Sequence, residues 1–276
     1  MNVGLLGGGR MGEALALGLV AAGFDPTEIA IAEIDPERRH ALEAAVPGAR
    51  VGPAPAWVAA DVEVLIVALK PHHVVEALAQ CSTTLPEHAL VLSIAAGVSI
   101  DTLEAAAPGR PVVRAMPNTP AVVGRAASAI AGGELATEDD LLLAERILGS
   151  VGMVVRVPED HLDAVTAVSG SGPAYLFLLA ESMVEAGVLV GLPRDTADAL
   201  VRQTLLGAAA LLDETGDSPE ALRAAVTSPG GTTAAAIKEL EAHGFRSSVS
   251  YAIEAAAARS RELAEQAKAD SEKSGA

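Results

Sequence analysis

Val3-Gly4-Leu5-Leu6-Gly7-Gly8-Gly9-Arg10-Met11-Gly12 is the stretch on which the fold turns. Residues 3–6 form a short apolar run of strand length, and residues 11–22 space Leu15, Leu19 and Val20 on one helical face before Gly23 closes it. The glycines fit G-x-G-x-x-G and lie between that strand and that helix, the setting in which the motif binds a dinucleotide. Gly7 permits the tight turn, Gly9 lets the backbone approach a pyrophosphate, and Gly12 allows helix and strand to pack closely. The helix N-terminus adds unpaired N–H donors and positive potential.

Working outward, residues 29–32, 62–69, 91–95, 112–115, 127–131 and 153–157 repeat the apolar strand pattern. The nearly continuous run at 62–69 is that of a parallel strand covered on both faces. Helical stretches at 36–45 and 71–79 begin at or near a proline, and 137–148 begins with Thr137 and an acidic first turn. Strands alternating with helices predict an α/β fold, a Rossmann-like doubly wound parallel sheet. After Pro158 the texture changes: residues 160–168, 173–190, 194–214, 219–226, 233–243 and 245–268 all read as helices. The expected organisation is therefore a dinucleotide-binding domain over 1–157 and an all-α domain over 158–276, with 270–276 a frayed tail.

The 276 residues are 50% hydrophobic but only 2% aromatic, a composition of close-packed helices and buried strands. A formal charge of −17 repels phosphate backbones and anionic lipid, which argues against nucleic acid and membrane as partners. No uninterrupted apolar stretch reaches the roughly 20 residues of a membrane span. The opening sequence runs straight into a strand pattern, so no signal peptide is expected. Cys81, the single cysteine, has no partner for an intrachain disulfide, and a reducing cytoplasm fits. It lies in the polar turn Cys81-Ser82-Thr83-Thr84 and reads as a surface or half-buried thiol. The six histidines show no metal-ligand spacing, and no metal site is expected.

At the adenosine end of the cofactor, Glu33 follows the second strand about 20 residues after the last glycine, where a carboxylate bonds ribose hydroxyls and favours NADH. Arg38 and Arg39 follow within a helical turn and are suited to a 2′-phosphate, or are simply a solvated helix start. The sequence leaves NADPH and NADH both open.

Four further segments carry a family likeness: Ala68-Leu69-Lys70-Pro71, Arg114-Ala115-Met116-Pro117-Asn118-Thr119-Pro120, Ser169-Gly170-Ser171-Gly172-Pro173-Ala174-Tyr175 and Ser228-Pro229-Gly230-Gly231-Thr232-Thr233. With the glycine loop they make a chain that resembles pyrroline-5-carboxylate reductase across both regions. The resemblance implies reduction of the ring imine of 1-pyrroline-5-carboxylate to L-proline by NAD(P)H, a helical dimerisation domain, and an active site shared between subunits. It also implies that Leu6, Gly7, Gly8, Gly9, Arg10 and Met11 hold the pyrophosphate. Ala68, Leu69, Lys70 and Pro71, with Ile94, Ala95 and Ala96, would line the nicotinamide, and Gly231, Thr232 and Thr233 would receive substrate. Rings of dimers are a further implication. Similar proteins more often carry Asn where Arg10 stands.

The residues themselves support that chemistry. Imine reduction needs no nucleophile, only alignment of the imine carbon with the nicotinamide and donors for the substrate carboxylate. Gly230 and Gly231 expose backbone N–H groups just ahead of a helix starting near Thr233. Thr233 Oγ is the candidate to hydrogen-bond the ring nitrogen; otherwise Thr232 or Thr233 serves only as an N-cap. Lys70 is either a charge beside the nicotinamide or a surface lysine at a strand end. Asn118, between two prolines, reads as a turn residue able to bond a carboxamide or a neighbouring loop. Ser169 and Ser171 lack the strand-to-helix elbow of a serine nucleophile.

Two other readings compete. A β-hydroxyacid dehydrogenase places a catalytic lysine on a helix of its second domain, and between residues 158 and 262 this chain offers only Lys238. A non-catalytic NAD(P)H sensor would not need the intact Ser228–Thr233 loop. The apolar helices at 173–190 and 245–268 predict a subunit interface and at least a dimer.

Overall fold

A computed structural model describes residues 1–274, with side chains through residue 267. The chain alternates strands and helices: β1 (Val3–Leu6), α1 (Arg10–Ala21), β2 (Ile29–Ala32), α2 (Pro36–Ala45), β3 (Arg50–Gly52), α3 (Pro55–Ala59), β4 (Val64–Val67), α4 (Pro71–Cys81), β5 (Leu90–Ser93), α5 (Ile100–Ala106), β6 (Val112–Met116), β7 (Ala126–Gly132), α6 (Glu138–Leu148) and β8 (Gly152–Arg156). The remainder is helical: α7 (Leu162–Val165), α8 (Gly172–Leu189), α9 (Arg194–Thr215), α10 (Pro219–Ala225), α11 (Thr232–Ala242) and α12 (Phe245–Ser274).

One eight-stranded sheet runs in the order β3-β2-β1-β4-β5-β6-β7-β8. Every residue of β1, β2, β4 and β5 is buried, because helices cover both faces. Alternate side chains enter two cores: Leu5, Ile31, Ile66 and Leu92 pack with Leu15, Leu19 and Ile147, while Leu6, Leu65, Val67 and Val91 pack with Leu78 and Leu103. Each such side chain contributes about 2 kcal/mol by leaving water.

The structure corrects the sequence reading in several places. The sheet is not wholly parallel, since β7 runs antiparallel to β6. The connection over 117–125 is too short for the crossover of about a dozen residues that a parallel neighbour requires. β3 was not anticipated because its Arg50-Val51-Gly52 carries no apolar run; it is held at the sheet edge, with the Arg50 guanidinium 5.6 Å from the centre of the Trp57 ring. α5 was also missed, although Ser99 caps it by accepting from the Thr102 N–H. Cys81 closes α4 and is fully buried, and burial pushes its thiol pKa up to about 11. The single helix expected over 160–168 is a 3-10 turn, the short α7 and a π-helical segment, Thr166–Gly170. α12 continues through Ser274, beyond the start of the expected tail, and residues 275 and 276 of that tail lie outside the described residues.

By its internal contacts the chain forms one unit from Met1–Ser171 with the chain from Ala255 onward, and a second from Gly172–Glu254. In the first, Ser260 on α12 donates to the Asp163 carboxylate at 2.6 Å. In the second, α8 and α9 pack as a hairpin, a Cβ at Gly187 coming within 3.1 Å of Ala197. α8 buries none of its residues, and Phe177, Leu178, Leu189 and Val190 are exposed. The helical run Glu159–Leu189 is long and apolar enough, by length and composition, to cross a membrane.

Candidate active site

The sheet order sets β1 between β2 and β4, with β5 beyond, and the register pairs Leu6 with Val67 and Val67 with Ser93. The loops following β1, β4 and β5 therefore emerge side by side at the carboxyl edge, where open α/β sheets bind ligands. They carry Leu6 to Met11, Ala68 to Pro71, and Ile94 to Ala96. The sequence-predicted cofactor residues are thus brought together.

Each glycine of the fingerprint has a spatial reason. Gly7 adopts φ +100 and donates its N–H to the Ala32 carbonyl, and a Cβ there would strike the Ala68 carbonyl. A Cβ on Gly12 would meet the Gly7 carbonyl oxygen. Gly9 is exposed, with open space where a Cβ would stand, and it is the N-cap of α1 without any side-chain cap. The first N–H groups of α1 therefore face an open, backbone-lined cradle. That cradle fits a pyrophosphate.

Glu33, just after β2, is half-buried, and its carboxylate accepts the Gly8 and Asp35 N–H groups, both at 3.0 Å. Arg38 donates from Nε to the Gly8 carbonyl and from Nη2 to Glu13, both at 2.6 Å. Arg39 donates from Nη1 to the Glu33 and Ile34 carbonyls. Sequence reasoning missed Glu13, which lies 25 residues from its partner and has no local signal. Lys70 is the exposed N-cap of α4 at the carboxyl edge.

Asn118 is buried and bonded at both amide atoms. Its Nδ2 donates to the Ser169 carbonyl at 3.0 Å and its Oδ1 accepts the Ala127 N–H at 2.9 Å. It ties the loop after β6 to β7 and to the π-helical segment, whose wider turn closes through Ser171 N–H to the Thr166 carbonyl. Of the two roles open to it, the structure shows contact with neighbouring loops. Asn118→Ala is expected to lower stability by about 3 kcal/mol, since it strands a buried donor and a buried acceptor; urea unfolding measures this. Arg114 of the same motif pairs with Glu159 at 2.8 Å. Ser169 Oγ donates to the Val165 carbonyl, a helix back-bond.

Gly230, Gly231, Thr232 and Thr233 belong to the second unit, between α10 and α11. Gly230 takes φ +71, and the Gly231 N–H closes a turn onto the Ser228 carbonyl. The N-cap of α11 is Gly231, with no side-chain cap, so neither threonine caps this helix. Thr233 occupies its second turn-forming position, half-buried, and its hydroxyl engages no hydrogen bond among the described residues. Also among the described residues, no group of three or more His, Cys, Asp or Glu side chains is arranged to hold a metal ion.

A doubly wound sheet with a glycine-rich dinucleotide cradle, followed by helices, defines an NAD(P)H-dependent oxidoreductase of Rossmann type. Residues 2–97 match the family model described as NADP oxidoreductase, coenzyme F420-dependent, and residues 159–263 match that described as pyrroline-5-carboxylate reductase dimerisation. The pyrroline-5-carboxylate reductase of Corynebacterium melassecola is 42% identical over 95% of this chain and 98% of its own. The solved reductase of Coxiella burnetii superposes with TM-score 0.90 at 36% identity, covering 95% of this chain and 98% of that one. That of Plasmodium falciparum, solved with NADP bound, gives 0.84 at 28% identity over 96% and 98%. The chain belongs to the pyrroline-5-carboxylate reductase family. It is an NAD(P)H-dependent oxidoreductase acting on a C=N group and carries that family's dimerisation region.

Proposed function

We propose that this chain reduces the ring C=N of 1-pyrroline-5-carboxylate to L-proline, with Leu6 to Met11 holding the pyrophosphate, Ala68 to Pro71 and Ile94 to Ala96 lining the nicotinamide, and Gly230 to Thr233 receiving substrate. The observation that carries the substrate role is the uncapped N-terminus of α11 with its free Thr233 hydroxyl. Backbone N–H groups there meet the substrate carboxylate. Thr233 Oγ–H donates to the ring nitrogen and holds the imine in one orientation. When the nitrogen gains its proton from solvent, the same oxygen accepts from the new N–H. The nicotinamide, when bound, supplies the hydride to the imine carbon.

The work divides between a cofactor domain, 1–157, and a dimerisation and substrate domain, 158–276. The exposed α8 pairs with a second copy, and the shared active site needs both subunits. The apolar run Glu159–Leu189 lies wholly within the dimerisation match, which supports a protein partner for it over a membrane. Assembly into a ring of dimers, a cytoplasmic location and no traffic with nucleic acid complete the reading, the last supported by the −17 charge.

The test supplies DL-1-pyrroline-5-carboxylate with NADPH or NADH and follows absorbance at 340 nm together with proline. Cofactor oxidation matched by proline is expected. Binding of cofactor without proline formation would overturn the substrate assignment and leave the dinucleotide site standing.

A further inference from the structure

The carboxylate after β2 is built into the glycine loop. Glu33 Oε2 accepts the Gly8 N–H and Oε1 the Asp35 N–H, so the group is fixed from both sides. In this fold a carboxylate so placed meets the adenosine ribose and accepts from its hydroxyls, whereas a 2′-phosphate would bring further negative charge against it. The basic residues able to offset that charge are anchored elsewhere. Arg38 spans the Gly8 carbonyl and Glu13, and both partners of this pair are largely screened from solvent, at 28% and 27% side-chain exposure. Arg39 braces the carbonyls of Glu33 and Ile34. Each guanidinium is already engaged with two acceptors of the protein.

We infer that Glu33, held by the Gly8 N–H, makes this chain select NADH over NADPH, and that Glu13 enforces the choice by keeping Arg38 on the glycine loop. The solved Plasmodium falciparum relative holds NADP. The inference deepens the oxidoreductase reading and rests on it for the cofactor site alone, not for the substrate.

The experiment is equilibrium titration of the full-length protein, without substrate, with NADH, NADPH, 5′-AMP and 2′,5′-ADP, by calorimetry and nicotinamide fluorescence. NADH is expected to bind at least tenfold more tightly than NADPH, and 5′-AMP more tightly than 2′,5′-ADP. Glu33→Gln removes the charge while keeping the shape, and is expected to shift the NADH-to-NADPH preference at least tenfold towards NADPH. Glu13→Gln removes the ion pair that holds Arg38 while leaving its bond to the Gly8 carbonyl and Glu33 untouched, and is expected to tighten NADPH several-fold with NADH unchanged. NADPH bound as tightly as NADH by the unaltered protein would overturn the inference, as would an unchanged ratio in folded Glu33→Gln. Should that variant fail to fold, the unaltered protein and Glu13→Gln decide. Failure to make proline while the NADH preference holds would count against the substrate assignment only.

Discussion

Thr233→Val is expected to lower kcat about a hundredfold while leaving the melting temperature within about 2 °C of the parent, because valine keeps the branched shape and removes only the hydroxyl. The two readouts separate on structural grounds. Were Thr233 the N-cap of α11, losing its oxygen would cost about 1 kcal/mol of stability. The cap is Gly231, which uses no side chain, and the Thr233 hydroxyl bonds nothing among the described residues. Its loss should therefore register when a ring nitrogen is present and remain silent otherwise. Thr233→Ser should restore most of the turnover. A Val variant that retains full kcat would remove Thr233 from the chemistry and leave α11 as an anion site alone.

Gly12→Ala is expected to weaken NAD(P)H binding by more than tenfold and to lower the melting temperature by roughly 5 °C, from an overpacking cost of about 2 kcal/mol. The added methyl would meet the Gly7 carbonyl oxygen, which is backbone and cannot turn aside as a side chain could. Gly7 is itself pinned, its N–H on the Ala32 carbonyl and no room beside the Ala68 carbonyl for a Cβ. The strain must go into the separation of β1 and α1, which moves the N–H cradle. Gly9→Ala provides the contrast, since nothing stands where its methyl would go. It should melt like the parent and lose only cofactor affinity. Parental affinity in Gly12→Ala would show that the loop can widen at no cost.

Much of this was legible in the residues because its physical causes are local. Strands buried on both faces must be apolar throughout, and β1, β2, β4 and β5 read as such runs. The capping box of α6 was visible at its first step, Thr137, whose side chain accepts from the Asp140 N–H. The glycine loop declared itself through spacing, and α8 through an apolar content that a single small unit cannot bury. What escaped depends on partners distant in sequence. β3 is defined by its neighbour and not by its own composition. The two roles of Asn118 join residues 9 and 51 positions away. The N-cap of α11 lies a residue or two earlier than its threonines imply, and that small shift is what frees the hydroxyl. The decision between Glu33 and its two arginines could not be made from their order along the chain, since it turns on which acceptors the guanidiniums already hold.

The first unit is closed by the last part of the chain: Ser260 bonds Asp163, and a Cβ at Gly97 would touch the backbone at Leu263 and Ala264. During synthesis, residues 1–171 are complete long before α12 leaves the ribosome. At about 5–20 residues per second, the intervening segment takes on the order of ten seconds to make. For that interval the loop after β5 is without its covering helix. A chain that ends within the second unit therefore carries every residue of the nucleotide cradle and lacks the helix that lies against Gly97.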